Sequence, residues 1–263
     1  MISIINFAIQ DSLISFVIVV ARVYPCFFLI PAFLFGSIKG RIRACIVLVF
    51  SFFIYPSLMS TLSTRGLELN FLFFLILKEF AIGFFIGLLF TMPFWLFESV
   101  GALIDNQMGV LMGGQINNSI LQTEITNFSQ LYKNLVILVF FLNDSLINIL
   151  IFISDSYYFI SPLEFNFSHL DNWREVFMGV LKRNFTYLLI YSLPYILFLL
   201  IFDISIGVLN VFTPQLQSTL VTSPLKCLCG LLFIYLFLTD TIFSIEYELS
   251  KLADLSSVIF KTI

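Results

Sequence analysis

The chain of 263 residues is 60% hydrophobic and only 11% charged, with a mean hydropathy of +1.04. A soluble domain carries about 25% charged residues, so a water-soluble globular domain is excluded and the expected surroundings are a membrane or a large protein assembly. A net charge of −3, with 13 basic residues in no long cluster, argues against a nucleic-acid partner.

A bilayer-spanning helix needs about 20 predominantly apolar residues. Six stretches meet that requirement, at 13–35, 44–62, 71–97, 131–153, 184–212 and 219–243. The start lacks a basic region and a small-residue cleavage site, so no cleavable signal peptide is expected. The expected fold class is an all-α membrane protein of about six long apolar helices, several broken by proline or charge. One integral-membrane domain is expected over 1–263. Within it lie a polar, Gly- and Met-containing connection at 98–130, a polar excursion at 154–183 and an amphipathic tail at 244–263.

The stretches carry residues that lipid does not favour. The first holds Arg22, Pro25 and Pro31, and the third holds Lys78 and Glu79. Asn143 and Asp144 interrupt the fourth. The fifth holds Pro194 and Asp203, and the sixth Pro224 and Lys226. A charge at the centre of a span costs about 2.5–3.5 kcal/mol on insertion scales, and proline opens the backbone ladder so that neighbours must repair it. These segments are therefore expected to face protein along much of their length.

Glu79, Gly83 and Gly87 recur at a spacing of four, so the acid shares a helix face with two glycines, and Gly83-x-x-x-Gly87 is a close-packing motif. Asp203 and Gly207 repeat the pattern, with Asn210 on the same side. Asp11, Ser15 and Arg22 fall on one stripe of the first helix. Lys78 and Glu79 are adjacent and point apart, so each needs a partner elsewhere. These charges read either as inter-helix contacts and snorkelling side chains or as parts of a transport path.

Lys39, Arg41 and Arg43 make the first loop the most basic short loop, which suggests a cytoplasmic location. A short helix is expected from Asp171 to Arg183, and the lone His169 reads as a surface residue. In the tail Ile245, Leu249, Leu252 and Ile259 line one face and Glu248, Lys251 and Asp254 another, as in a helix lying on a membrane or a partner. The four cysteines lie in apolar runs and read as small apolar filler. Cys227 and Cys229 are about 200° apart on a helix, a poor geometry for a metal.

The sequence has no phosphate-binding glycine loop, no H-E-x-x-H, no G-x-S-x-G elbow and no cysteine–histidine pairing. No catalytic residue, metal or cofactor is expected. A subunit of an ion or small-solute transporter is the alternative reading, because intramembrane charges and broken helices are what transporters use. No inverted repeat supports it.

Three stretches together carry a resemblance: "ARVYPCFFLIPAF" at 21–33, "KEFAIGFFIGLLFTMPFWLFESVGALIDNQMGV" at 78–110, and "GVLNVFTPQLQSTLVTSPLK" at 207–226. Their order and spacing resemble the T component of the type III secretion export apparatus, the family that includes SpaR, YscT and EscT in injectisomes and FliR in flagella. Phe94-Trp95 and Ile104-Asp105-Asn106-Gln107 look closer to the SpaR-like injectisome branch. The chain departs from the pattern at Met108, where SpaR-like proteins usually carry arginine, at Asn117-Asn118, where Asp-Pro is common, and at Gln217, where asparagine is common.

The resemblance implies a non-enzymatic, multi-pass protein of the bacterial inner membrane. It implies helical hairpins joined with R and S components in an export gate, much of it lifted out of the bilayer, through which unfolded secreted proteins pass. A U switch component would wrap the entrance and a V ring lie below it, with membrane lipid around the rest. It also implies a plug near the middle of the chain. Methionine is unbranched and adaptable, and glycine tolerates many backbone angles. Met108, Gly109, Val110, Leu111, Met112, Gly113 and Gly114 are therefore expected to help seal the channel. Asp105 and Gln107 are expected to anchor that segment. Pro214 and Gln215 form the expected entrance turn.

Overall fold

The structure is a computed structural model and describes residues 2–33, 40–58, 69–108, 127–162, 170–212 and 218–261. Among these residues there are eight α-helices and no strand: α1 (Ile2–Leu29), α2 (Gly40–Leu58), α3 (Leu69–Met108), α4 (Asn127–Leu142), α5 (Ser145–Phe159), α6 (Leu170–Phe212), α7 (Ser218–Leu236) and α8 (Leu238–Lys261). A single 3-10 turn at Pro31–Phe33 follows α1. Apart from Ile30, which separates α1 from the 3-10 turn, and the breaks in the fourth and sixth, the six apolar stretches are helical over their described residues. The fourth is divided at Asn143-Asp144 and the sixth at Phe237.

Among the described residues three helices are long and apolar enough to cross a membrane, within Ser12–Leu29, Phe71–Met108 and Arg174–Leu209, or up to five if each bent pair of helices makes one span. At 1.5 Å per residue, the 40 residues of α3 extend about 60 Å and the 43 of α6 about 65 Å. Both are far longer than a hydrocarbon core of about 30 Å. Residues 98–108, expected in a connection, continue α3, and the short helix expected from Asp171 to Arg183 is the opening of α6. Polar residues join these helices because each finds a partner: Glu98 pairs with Lys133 at 3.1 Å, and Asp105 bonds to the backbone of α4.

The helices form two compact units. The first comprises Met1–Thr91, Asn143–Gly179 and Leu249–Ile263, the second Met92–Leu142 and Val180–Glu248. In the first unit Ile18, Val19, Val23, Phe27, Leu75 and Ile86 are fully or almost fully buried. Phe27 stacks on Phe50 at 5.0 Å, and Phe90 meets Phe152 edge-on at 5.3 Å. In the second unit Phe94 packs on Phe140, Phe97 stacks on Tyr191, and Phe233 stacks on Phe198 at 4.4 Å. The tail is helical, but Ile245, Leu249 and Leu252 are buried by the chain itself rather than laid on a surface. Glu248, expected on the polar face, is also buried and accepts a hydrogen bond from the Tyr191 hydroxyl at 3.3 Å.

Candidate functional site

Two clusters gather most of the described residues singled out by the sequence. In the first unit, the glycines of α3 admit α1. A Cβ on Gly83 would overlap the Arg22 carbonyl and come within 2.9 Å of the Pro25 ring, and one on Gly87 would come within 2.9 Å of the Cys26 Cα. This close approach, which only glycine permits, lets Arg22 of α1 reach across α3. Its Nε donates to Glu79 Oε2 at 2.6 Å, its Nη1 to Ser156 Oγ at 2.9 Å and its Nη2 to the Ile160 carbonyl at 3.2 Å. The guanidinium also lies over the Tyr157 ring, 3.8 Å from its centroid. Tyr157 in turn donates its hydroxyl to the Val19 carbonyl at 3.2 Å.

Both Arg22 and Glu79 are 0% exposed. A buried ion pair holds only where hydrogen bonds satisfy the charges. Arg22 meets that condition with a planar fork of donors aimed at three acceptors. Lys78 points away from Glu79, as adjacency requires, and donates to the Ser161 and Pro162 carbonyls at 2.9 and 3.0 Å. The sequence shows that these two residues need separate partners. It does not show that the partners lie on α1 and at the end of α5, because 57 and 83 residues intervene.

In the second unit, Asp105 is 0% exposed and lies in the last turn of α3. Its Oδ2 accepts from the backbone N–H groups of Phe128 and Ser129 at 2.9 and 3.2 Å. These are among the unpaired donors at the N-terminus of α4, where a carboxylate also meets the positive end of the helix dipole. Gly101, one turn earlier, allows the backbones to touch: a Cβ there would lie 2.6 Å from the Phe128 carbonyl oxygen. The chain therefore leaves at Met108 and returns at Asn127 from two ends tied together by Asp105.

Met108 is 1% exposed, with its sulfur against Gly230 of α7. Of the expected seal residues it is a packed one. Gln107 is half-buried. Gly109, Val110, Leu111, Met112, Gly113 and Gly114 lie outside the described residues, as do Pro214 and Gln215.

Asp203 and Lys226 meet at 2.5 Å with side chains 32% and 21% exposed. The sequence singled out Asp203 without assigning it this partner. Gly207 differs from Gly83 and Gly87: a Cβ there would meet nothing within 4 Å, so the chain itself makes no close packing at that position. Among the described residues no cluster of three or more His, Cys, Asp and Glu side chains could hold a metal ion.

Residues 13–252 match the family described as bacterial export proteins, family 1. The chain is similar to surface presentation of antigens protein SpaR of Salmonella typhimurium, with 27% identity over 243 residues, which is 89% of this chain and 88% of that protein. It is similar to Yop proteins translocation protein T of Yersinia pestis, with 23% identity over 230 residues and 87% of each chain covered. It also resembles flagellar biosynthetic protein FliR of Buchnera aphidicola, with 26% identity over 246 residues, 92% of this chain and 90% of that one. With the match running from α1 into α8 and through both clusters, the chain belongs to the bacterial export proteins, family 1.

Proposed function

We propose that the chain is the T component of a type III secretion export gate. In this reading it is a multi-pass core subunit of the bacterial inner membrane that forms, with R and S components, a channel for unfolded proteins. The observation that carries this reading is the family match over residues 13–252. Relatives named for surface presentation of antigens, Yop translocation and flagellar biosynthesis support it. The role is structural rather than enzymatic.

The chain's surface supports burial in an assembly. Phe52 and Phe53 on α2 are 67% and 75% exposed, and Val211 and Phe212 at the end of α6 are both 78% exposed. Lipid alone would suit those side chains. It would not suit the partly exposed Asp203–Lys226 pair on α6 and α7, because ionised groups in a membrane protein face protein or a water-filled cavity. We assign the Asp203–Lys226 face of α6 and α7 to R and S components and Pro214 and Gln215 to contact with the U component, with the V ring below it. We assign Met108 and the residues 109–114 to the channel seal, with Asp105 as its anchor.

Purification of the chain from its own bacterium tests the assembly. Two small hydrophobic proteins should accompany it. Recovery alone or as a homo-oligomer would overturn the reading in favour of a transporter subunit. Deleting 109–114 in the assembled complex should raise ion leakage across the inner membrane, and unchanged leakage removes the seal.

A further inference from the structure

The register of α5 is fixed from inside the first unit. Ser156 accepts from Arg22, Tyr157 lies under the same guanidinium, and Phe152 meets Phe90. Ser145, Ile149, Phe152, Ile153, Ser156 and Tyr157 are buried on that side. With about 3.6 residues per turn, the opposite side carries Ile147, Ile151, Asp155 and Tyr158. Asp144 joins that stripe. Its carbonyl accepts from the Asn148 amide at 3.0 Å and so begins the helix, and the eleven residues from Asp144 to Asp155 return a helix to nearly the same angle. Ile147, Ile151 and Tyr158 are 52%, 51% and 64% exposed, Asp144 is exposed and Asp155 is half-buried. We infer that this stripe docks an apolar helix of another subunit that carries a cation opposite each of the two aspartates.

The aspartates select that occupant. Neither carboxylate has a hydrogen-bond or ion-pair partner among the described residues: Asp144 makes no side-chain cap to α5, and the ion pairs join other groups. Lipid does not suit the stripe, because acidic groups in membrane segments face protein or a water-filled cavity. Water does not suit Ile147, Ile151 and Tyr158, which make an exposed apolar strip between and beyond the aspartates. A surface that suits both is apolar along most of its length and positive where the aspartates lie. The aspartates stand about 16 Å apart along the axis. The matching cations are therefore about eleven residues apart on a helix that runs alongside α5. The inference rests on the proposed assembly for the existence of a second subunit, and not on which subunit that is.

A photoreactive phenylalanine at position 151, between the aspartates, tests the face in the full chain in its native membrane. It should crosslink to a membrane protein, at an apolar segment with Lys or Arg within about two turns of the crosslinked residue. Asp144→Lys together with Asp155→Lys should cut the crosslink at least about tenfold, because like charges then meet across the interface. Reversing the partner's cations to aspartate should restore it. Asp144→Asn with Asp155→Asn should also weaken the crosslink, and decides the matter if the lysine variant does not accumulate. Crosslinks to lipid alone, to a secreted protein or to a segment without Lys or Arg overturn the inference, and so does a crosslink undiminished in both variants. If position 151 crosslinks to a basic membrane helix while the two small hydrophobic proteins fail to co-purify, the docking face stands and the export-gate reading falls. Co-purification of those two proteins with crosslinks to lipid alone gives the reverse.

Discussion

The Phe128 amide donates to Asp105 Oδ2 at 2.9 Å, across 23 residues of chain. One buried carboxylate in the last turn of α3 therefore caps the first turn of α4. Replacing a side-chain cap by alanine costs about 0.5–2 kcal/mol. Leaving the Phe128 and Ser129 donors buried adds to that, at about 1–3 kcal/mol for an unsatisfied group. Asp105→Ala is expected to lower the thermal stability of the purified chain and abolish secretion. Asp105→Asn retains an acceptor oxygen and is expected to keep most of the stability. Melting of the three proteins side by side checks this, and an alanine variant as stable as the asparagine variant would contradict the clasp.

Arg22 and Glu79 make a second prediction, with the opposite logic. Removing one partner of a buried ion pair leaves an uncompensated charge and costs about 3–5 kcal/mol, whereas replacing both with apolar groups can be neutral. Arg22→Met and Glu79→Met should each reduce accumulation in the membrane severely, and the double variant should recover a large part of it. Recovery is expected to be incomplete, because Arg22 also serves Ser156 and Ile160. A double variant no better than the worse single one would show that these further contacts dominate.

The glycines separate two sites that share one sequence pattern. Gly83 and Gly207 each follow an acid by four residues, but only Gly83 has backbone where a Cβ would go. Gly83→Ala is expected to cost about 1–3 kcal/mol through overpacking, seen as reduced yield and a lower melting temperature. Gly207→Ala should leave the isolated chain unchanged. If it nevertheless blocks recovery of the two small partners, the open space at Gly207 is filled by one of them.

The same contrast shows how far the sequence could be read. Helix, proline and charge positions were legible because a 20-residue apolar run has few other uses. The close packing at Gly83 and Gly87 was legible because spacing alone puts both on one face. The partners of Glu79 and Lys78 were not, since spacing along a helix says nothing about which other helix lies opposite. The extent of α3 was also hidden. Residues 98–108 look like the start of a polar connection, and become helix only because Glu98 finds Lys133 and Asp105 finds α4. Glu248 was misread for the same reason, its partner Tyr191 lying 57 residues away.

The Asp203–Lys226 pair allows the chain's own needs to be distinguished from those of a partner. The pair is partly exposed, and such pairs contribute up to about 1 kcal/mol. Asp203→Asn and Lys226→Gln should therefore change the stability of the isolated chain little. On the proposed reading the pair is covered in the assembly, and its charges would then meet complementary groups on the covering surface. The exchange Asp203→Lys with Lys226→Asp restores attraction within the chain but presents each charge in the other's place. Were the pair to serve only α6 and α7, the exchanged chain would behave as the original in every assay. On the proposed reading it accumulates normally, is recovered without its small partners and does not support secretion. Counting the proteins recovered with it decides between the two, because accumulation of the chain shows separately that it has folded.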